Sequence, residues 1–395
     1  MLFLRPITTK LQTFVLQMST AAPNPINATF LRGGTSKGIF LHRSSLPTHQ
    51  SSWAPIFLGI MGSPDPEHGR QLNGMGGGVS SLSKICVVGP AGPQQAAQGI
   101  QVEYTFVQVG IRDSTIDYSG NCGNLSGMIG VFAVDEGICQ PVVSKEGIGS
   151  VRSFNTNTSK VIDTTFPIDE AGVPVLDRPE VEIAGVPGKA STIVLDFVEP
   201  GGARTGKLLP TGSPVDVLEI DVGGERKRFR ASLVDATNPT VFVSSEDLSQ
   251  LGCFAGTFNK APIENISEDG YVILERLRQA ASKKMGLVPV AQAQPKIAIL
   301  RPPIAGDNVD INVHALSMGV LHKAVPMTIG LCLGVAAKIQ GTLAWDIAQR
   351  KGDFVRIRHQ SGVVDVGAKF SSNGQVESAK VIRTGRRLMK GVVWW

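Results

Sequence analysis

The feature that most constrains the fold is an internal repeat. The stretch LRGGTSKGIFLHRSSL (31–46) aligns without gaps on LVDATNPTVFVSSEDL (233–248), so that Leu31, Thr35, Phe40 and Leu46 fall on Leu233, Thr237, Phe242 and Leu248. Further along, SKICVV (83–88) parallels PKIAIL (295–300), with Lys84 over Lys296. The apolar stretch after Cys122 then parallels the one after His322. Chance can produce any one of these matches. Three in the same order argue duplication, and repeats of this kind mark structural units built on one plan. The length of 395 residues also suits two domains of ordinary size. The expected organisation is an N-terminal extension (1–26), a first domain (27–205) and a second domain (206–395). The two domains join near EPGGARTGKLLPTG (199–212), with a cleft between them.

Local patterns favour strands. Runs rich in β-branched residues, often alternating, predict strands at 28–32, 38–42, 84–89, 101–110, 191–198, 215–222, 229–236, 240–245, 295–300, 309–316, 354–359 and 363–367. Helical spacing is clear over 268–285. Two other stretches, 124–136 and 323–338, are apolar on nearly all sides, which predicts buried helices wrapped by sheet. The 45 glycines and 24 prolines agree with short strands and tight turns. The fold class expected is α+β: two pseudo-symmetric domains, each a curled β-sheet around a buried central helix.

Composition excludes several functions. The net charge of +5 comes from scattered basic residues with two short clusters, GERKRFR and TGRRLMK, which argues against a nucleic-acid partner. No apolar run reaches the length of a membrane span, so no membrane partner is expected. The five cysteines, at 86, 122, 139, 253 and 332, form no C-x-x-C pair, and their odd number and wide spacing favour a reducing compartment. The six histidines, at 42, 49, 68, 314, 322 and 359, show no metal-ligand spacing, so no metal site is expected. Residues 1–25 carry Arg5, Lys10, several threonines and no acid. They read either as a mitochondrial presequence or as a loose extension before Met18. Cytoplasmic location is expected, with the mitochondrial matrix as the alternative. The oligomeric state is open, a homodimer being compatible with the sequence.

Four stretches carry candidate chemistry. SGNCGNLSGMIG (119–130) places Cys122 where a loop enters a buried helix. Helix starts expose unpaired N–H groups, Gly123 lets backbone approach a ligand, and Asn121 or Asn124 can cap. This frame suits a carboxylate and a thiol with a lowered pKa. NGMGGGVSSLSKICVV (73–88) puts Gly77, Ser80 and Ser81 before a strand that opens on Lys84, and burial there would turn the amine into a base. LRGGTSKG (31–38) lacks phosphate-loop spacing, but Ser36 and Lys37 can hold a carboxylate. HALSMGVLHKA (314–324), the repeat partner of the cysteine loop, offers Ser317, the Gly319 amide and His322 to the same cleft.

LRGGTSKGIF, IMGSPDP, GMGGGVSSLSK, DYSGNCGNLSG, LLPTG, ALSMGVLHKA and HQSGVVDVG, in this order, resemble the 2-methylaconitate cis-trans isomerase (PrpF) family, over about 27–392. Its relatives include aconitate Δ-isomerases, methylitaconate isomerases and 4-oxalomesaconate tautomerases. The resemblance implies a diaminopimelate epimerase-like fold and proton transfer at carbon on an unsaturated tricarboxylate, without cofactor. The family's catalytic lysine falls on Lys84 and its active-site cysteine on Cys122. Asn73 stands where many members carry aspartate. Two alternatives remain at this level: an amino-acid epimerase or racemase of the same fold, and a non-catalytic accessory protein of an aconitase-like enzyme. The racemase requires two opposed cysteines, and no cysteine lies near 317–324.

Overall fold

The computed structural model describes residues 23–258, 266–290, 294–304, 306–317, 319–348 and 352–395. Most of the expected extension therefore lies outside the described residues. In the first half, Ile26–Gly33 and Ser36–His42 form an antiparallel hairpin. Lys84–Pro90 joins Ser36–His42 in parallel, and Val102–Val109 returns antiparallel. Ile148–Asn155 pairs in parallel with Val102–Val109, and Lys160–Pro167 and Ile193–Val198 follow antiparallel. The second half repeats these pairings. Glu225–Ala236, Asn238–Ser244, Lys296–Arg301, Ile311–Ser317, Phe354–His359, Gly362–Phe370 and Val376–Arg383 pair in the same succession of orientations. The register repeats as well: Phe40 lies opposite Cys86, and Phe242 opposite Ala298.

A parallel join needs a crossover. The first crossover carries helix Ala54–Met61 and its counterpart carries helix Glu268–Lys284. Successive strand residues point to opposite faces, so each sheet has two cores. On the outer face, Ile39, Leu41, Ile85 and Val87 pack on Ile56, Phe57 and Ile60 of the first helix, while Val241, Val243, Ile297 and Ile299 pack on Leu274 and Leu277 of its counterpart. On the inner face, Phe40, Cys86, Phe242 and Ala298 share one core with Ile129, Phe132, Ile329 and Leu333. Helix Glu268–Lys284 has a solvated side. Ser267 caps it through Gly270 N, acids sit in its first turn and lysines in its last, in accord with the helix dipole.

Three features depart from the sequence expectation. The helix expected over 124–136 is divided into Gly123–Ser126 and Ile129–Asp135, with a turn at Gly127 and Met128. The helix expected over 323–338 runs only Met327–Ala336. Pro326 precedes it, and Val320–Leu321 is taken up as a short strand against Leu316 and Ser317. Finally, Gly385–Val393 pairs with Ile26–Gly33, so it belongs to the second half by sequence and to the first by hydrogen bonds, across the division expected at 205/206. Its counterpart is Asp216–Val222, which flanks Glu225–Ala236. Ile193–Val198 and Val376–Arg383 pair along the seam and make the sheet continuous. The overall class is α+β. Among the described residues no helix is long and apolar enough to cross a membrane.

Candidate active site

Lys84 opens its strand, and the two-residue period puts it on the inner face with Cys86 and Val88. It is only 9% exposed. Its Nζ donates to Gln108 Oε1 at 2.6 Å and lies 4.9 Å from the centre of the Phe106 ring. Gln108 is oriented in turn, donating through Nε2 to the carbonyls of Ser80 (3.1 Å) and Ser83 (2.8 Å). A neutral amide and a ring face partner the ammonium here without neutralising it.

Cys122 occupies the N-cap position of Gly123–Ser126. Its Sγ is 3.7 Å from Ser36 Oγ. The buried Cys86 thiol senses both groups. Burial pushes its pKa well up, Cys122 pushes it further and Lys84 draws it back. Lys84 and Cys122 thus share one neighbourhood on the inner face, with Ser36 beside the cysteine.

The asparagines do not cap the helix as expected. Asn121 donates to Ser126 Oγ at 3.1 Å, and Ser126 also meets the buried Tyr104 hydroxyl at 2.8 Å. Asn124 donates to Thr35 Oγ1 at 3.1 Å and accepts from Arg383 Nε at 3.1 Å. Thr237, the repeat partner of Thr35, bonds the start of the other buried helix through the carbonyl of Thr328 at 3.0 Å. The two helix starts abut, because a Cβ at Gly123 would run into Met327 Sδ. Packing between the halves at Met327 therefore favours glycine at 123.

A cavity of about 610 Å³ opens beside this junction. Thr35 and Asn124 line it from the first half, His322, Met327 and His359 from the second, and Arg383 from the end of the seam strand. Lys84 and Cys122 do not themselves line it; the loop that carries Cys122 reaches it through Asn124. Burial holds the Arg383 guanidinium down to about 10, and Cys122 opposes that shift. It remains a cation at neutral pH. Burial and the Arg383 charge lower His359 to about 4. Burial, then Lys296, lowers His322. The cavity thus presents one strong cation and two neutral imidazoles at pH 7. Among the described residues no three His, Cys, Asp or Glu side chains gather as a metal-holding group.

Other expected site residues stand apart. Lys37 lies on the outer face, its Nζ 5.6 Å from the centre of the Phe30 ring, because neighbours in a strand face opposite ways and Ser36 takes the inner side. Ser80 is exposed and Ser81 half-buried in a short turn, Ser80–Leu82, and Ser80 touches the site only through its carbonyl on Gln108. Gly77 packs on Leu82. Gly319 turns the chain at φ +73° but does not line the cavity. Ser317 ends strand Ile311–Ser317, and its side chain lies outside what is described. His322 does line the cavity. Cys332 is fully buried inside helix Met327–Ala336, its Sγ 3.4 Å from the Val234 carbonyl, so it does not oppose Cys122.

Two residues here were not anticipated. Gln108 is found only by knowing the register of Lys84–Pro90 with Val102–Val109. Arg383 sits in VESAKVIR, an alternating strand in which a basic residue reads as solvated surface.

Residues 24–395 match the family model described as PrpF protein. The chain belongs to the PrpF family. It is 36% identical to the 3-methylitaconate isomerase of Eubacterium barkeri, over 93% of this chain and 97% of that one. It is 34% identical to the 2-methyl-aconitate isomerase of Shewanella oneidensis, over 93% and 96%. The crystal structure of a methylitaconate-delta-isomerase matches it with a TM-score of 0.80 at 34% identity, covering 94% of this chain and 95% of that one. This PrpF chain is an enzyme of the isomerase class.

Proposed function

We propose that this PrpF protein is a cofactor-independent isomerase that moves a proton on an unsaturated tricarboxylate such as aconitate or 2-methylaconitate, by cis–trans or double-bond isomerisation. What supports the reading is that Lys84 and Cys122 both bear on the buried Cys86 of the inner face, with Ser36 beside Cys122. On this reading 27–205 and 206–395 are two like lobes that close on the substrate, and the catalytic groups come from the first.

The chemistry follows from carbon acidity. A C–H bond that is allylic to a double bond and α to a carboxylate breaks when a base takes the proton, and the electron pair spreads into a dienolate. Lys84, acting as the free amine, takes that proton. Developing negative charge is met by the N–H groups at the start of Gly123–Ser126, which have no intrahelical acceptor. Cys122 positions the acid or serves as the second proton carrier. Return of the proton to the same carbon after rotation gives the geometric isomer. Return at the far end of the allylic system shifts the double bond. No net redox change occurs in either case, so the step calls for no redox cofactor.

Proton NMR of the purified protein in heavy water, with cis-aconitate, 2-methylaconitate and 3-methylitaconate, tests the proposal. New isomer signals with deuterium at the allylic carbon are expected. No exchange with any of the three would leave the proposal without a reaction.

A further inference from the structure

One strand stands behind both candidate catalytic groups. Val102–Val109 places Tyr104 and Gln108 on its inner face, and Gln108 carries Lys84. We propose that Tyr104 does the same for Cys122, as a positioning residue that fixes the cysteine loop through Ser126. The inference rests on the isomerase reading of the site and adds a residue to it.

The hydrogen bonds run in one direction. Tyr104 and Ser126 are each 1% exposed. Ser126 donates to the Cys122 carbonyl twice, through N at 2.9 Å and through Oγ at 3.1 Å. With its proton spent there, Ser126 Oγ accepts from Asn121 Nδ2 at 3.1 Å and from the Tyr104 phenol at 2.8 Å. Ser126 thereby ties Asn121 and the Cys122 carbonyl to one point, and Tyr104 anchors that point to the sheet. Burial pushes the Tyr104 hydroxyl well up, so it keeps its proton at neutral pH. Cys122 Sγ then lies 3.7 Å from Ser36 Oγ, a hydroxyl that can turn to donate to a thiolate.

The repeat supplies the control. Leu300 lies opposite Val313 as Val88 lies opposite Tyr104, so Val313 is the counterpart of Tyr104. Both belong to the same core, and Val313 fills its place without a hydroxyl. The fold therefore does not call for a polar group at this position, where a phenol is costly to bury unless it is bonded. The hydroxyl stands in the half that carries Lys84 and Cys122.

Alkylation by iodoacetamide, followed by mass spectrometry of each cysteine peptide, reads the loop without any substrate. In full-length Tyr104→Phe, Cys122 is expected to react at least about threefold more slowly than in wild type, because a displaced thiolate loses the Ser36 hydroxyl. The partly buried Cys139 and Cys253 should stay within about twofold. On a substrate that turns over, kcat should fall about tenfold and KM should change less than about twofold. Ser126→Ala should reproduce both effects, and it carries the test if Tyr104→Phe fails to fold. The double variant should be no worse than the worse single one, since both act along one path. An unchanged or faster Cys122 rate in a folded Tyr104→Phe protein overturns the proposal. So does a parallel change at all three cysteines, which marks general loosening, or losses that multiply in the double variant. Selectively slowed Cys122 alkylation with unchanged kcat, or in a protein that turns over none of the substrates, supports the positioning and counts against the isomerase reading of Cys122 alone.

Discussion

Lys84 and Gln108 face each other across an antiparallel strand pair, and the ammonium nitrogen rests 2.6 Å from the amide oxygen. With Gln108 itself tied to the carbonyls of Ser80 and Ser83, the lysine is aimed by a rigid neutral group. An acid in place of Gln108 would hold the ammonium as a salt and oppose its use as a base.

Lys84→Met is expected to lower kcat by roughly 10³-fold or more, the share that general base catalysis supplies. The apolar stem should keep the inner-face packing on Phe106 and Cys86, so the melting temperature should move by only a few degrees. Stopped turnover assays together with a thermal melt check this. Near-normal turnover would remove the lysine from the chemistry.

Gln108→Glu is expected to shift the pH profile of kcat to higher pH, since a carboxylate beside Nζ favours the charged amine. KM should change little, because Gln108 bonds the lysine and backbone rather than the cavity. A pH–rate profile identical to wild type would contradict the positioning role.

Gly123→Ala should disturb the junction between the halves. The added methyl meets Met327 Sδ, the far end of a flexible side chain, so the stability cost is expected to be about 1 kcal/mol. The displaced thioether lines the cavity, so kcat/KM should fall by about tenfold. Adding Met327→Ala should restore most of that loss. A double variant no better than the single one would place the defect elsewhere.

Acid stability should depend on His314. It is 5% exposed, its Nε2 has no hydrogen-bond partner among the described residues, and burial followed by the nearby Arg301 holds it down to about 4. The unfolded chain takes up this proton near 6.5, so between those values the unfolded state binds more protons. Stability from this group is complete above about pH 6.5 and is lost as pH falls through 4, by the order of 2–3 kcal/mol. His359, also lowered to about 4, acts in the same direction. Urea melts at pH 7, 5.5 and 4.5 should show falling midpoints, and His314→Asn should flatten the trend. A midpoint constant over that range in the wild type would contradict the assignment.

What the sequence by itself determined was the plan of the molecule. Leu31 over Leu233, Phe40 over Phe242 and Lys84 over Lys296 are matches between residues near in sequence within each copy. Their periodicity follows from strand geometry alone, and the observed registers repeat them. The buried helices were legible because a segment apolar on all sides has no solvated face to present, although Pro326 and the Gly127–Met128 turn set their bounds. The strands Ile148–Asn155, Lys160–Pro167, Val376–Arg383 and Gly385–Val393 were not legible, since polar residues interrupt them and their partners are distant. Tertiary structure alone decided which side chains meet. One residue of phase sends Lys37 to the outer face and Ser36 to Cys122. A pairing across 259 positions turns an ordinary-looking Arg383 into the cation of the cavity, and strand Gly385–Val393 returns to the first half. Local residue preferences act over a few positions, whereas burial of charge and the choice of strand partner are properties of the assembled sheet.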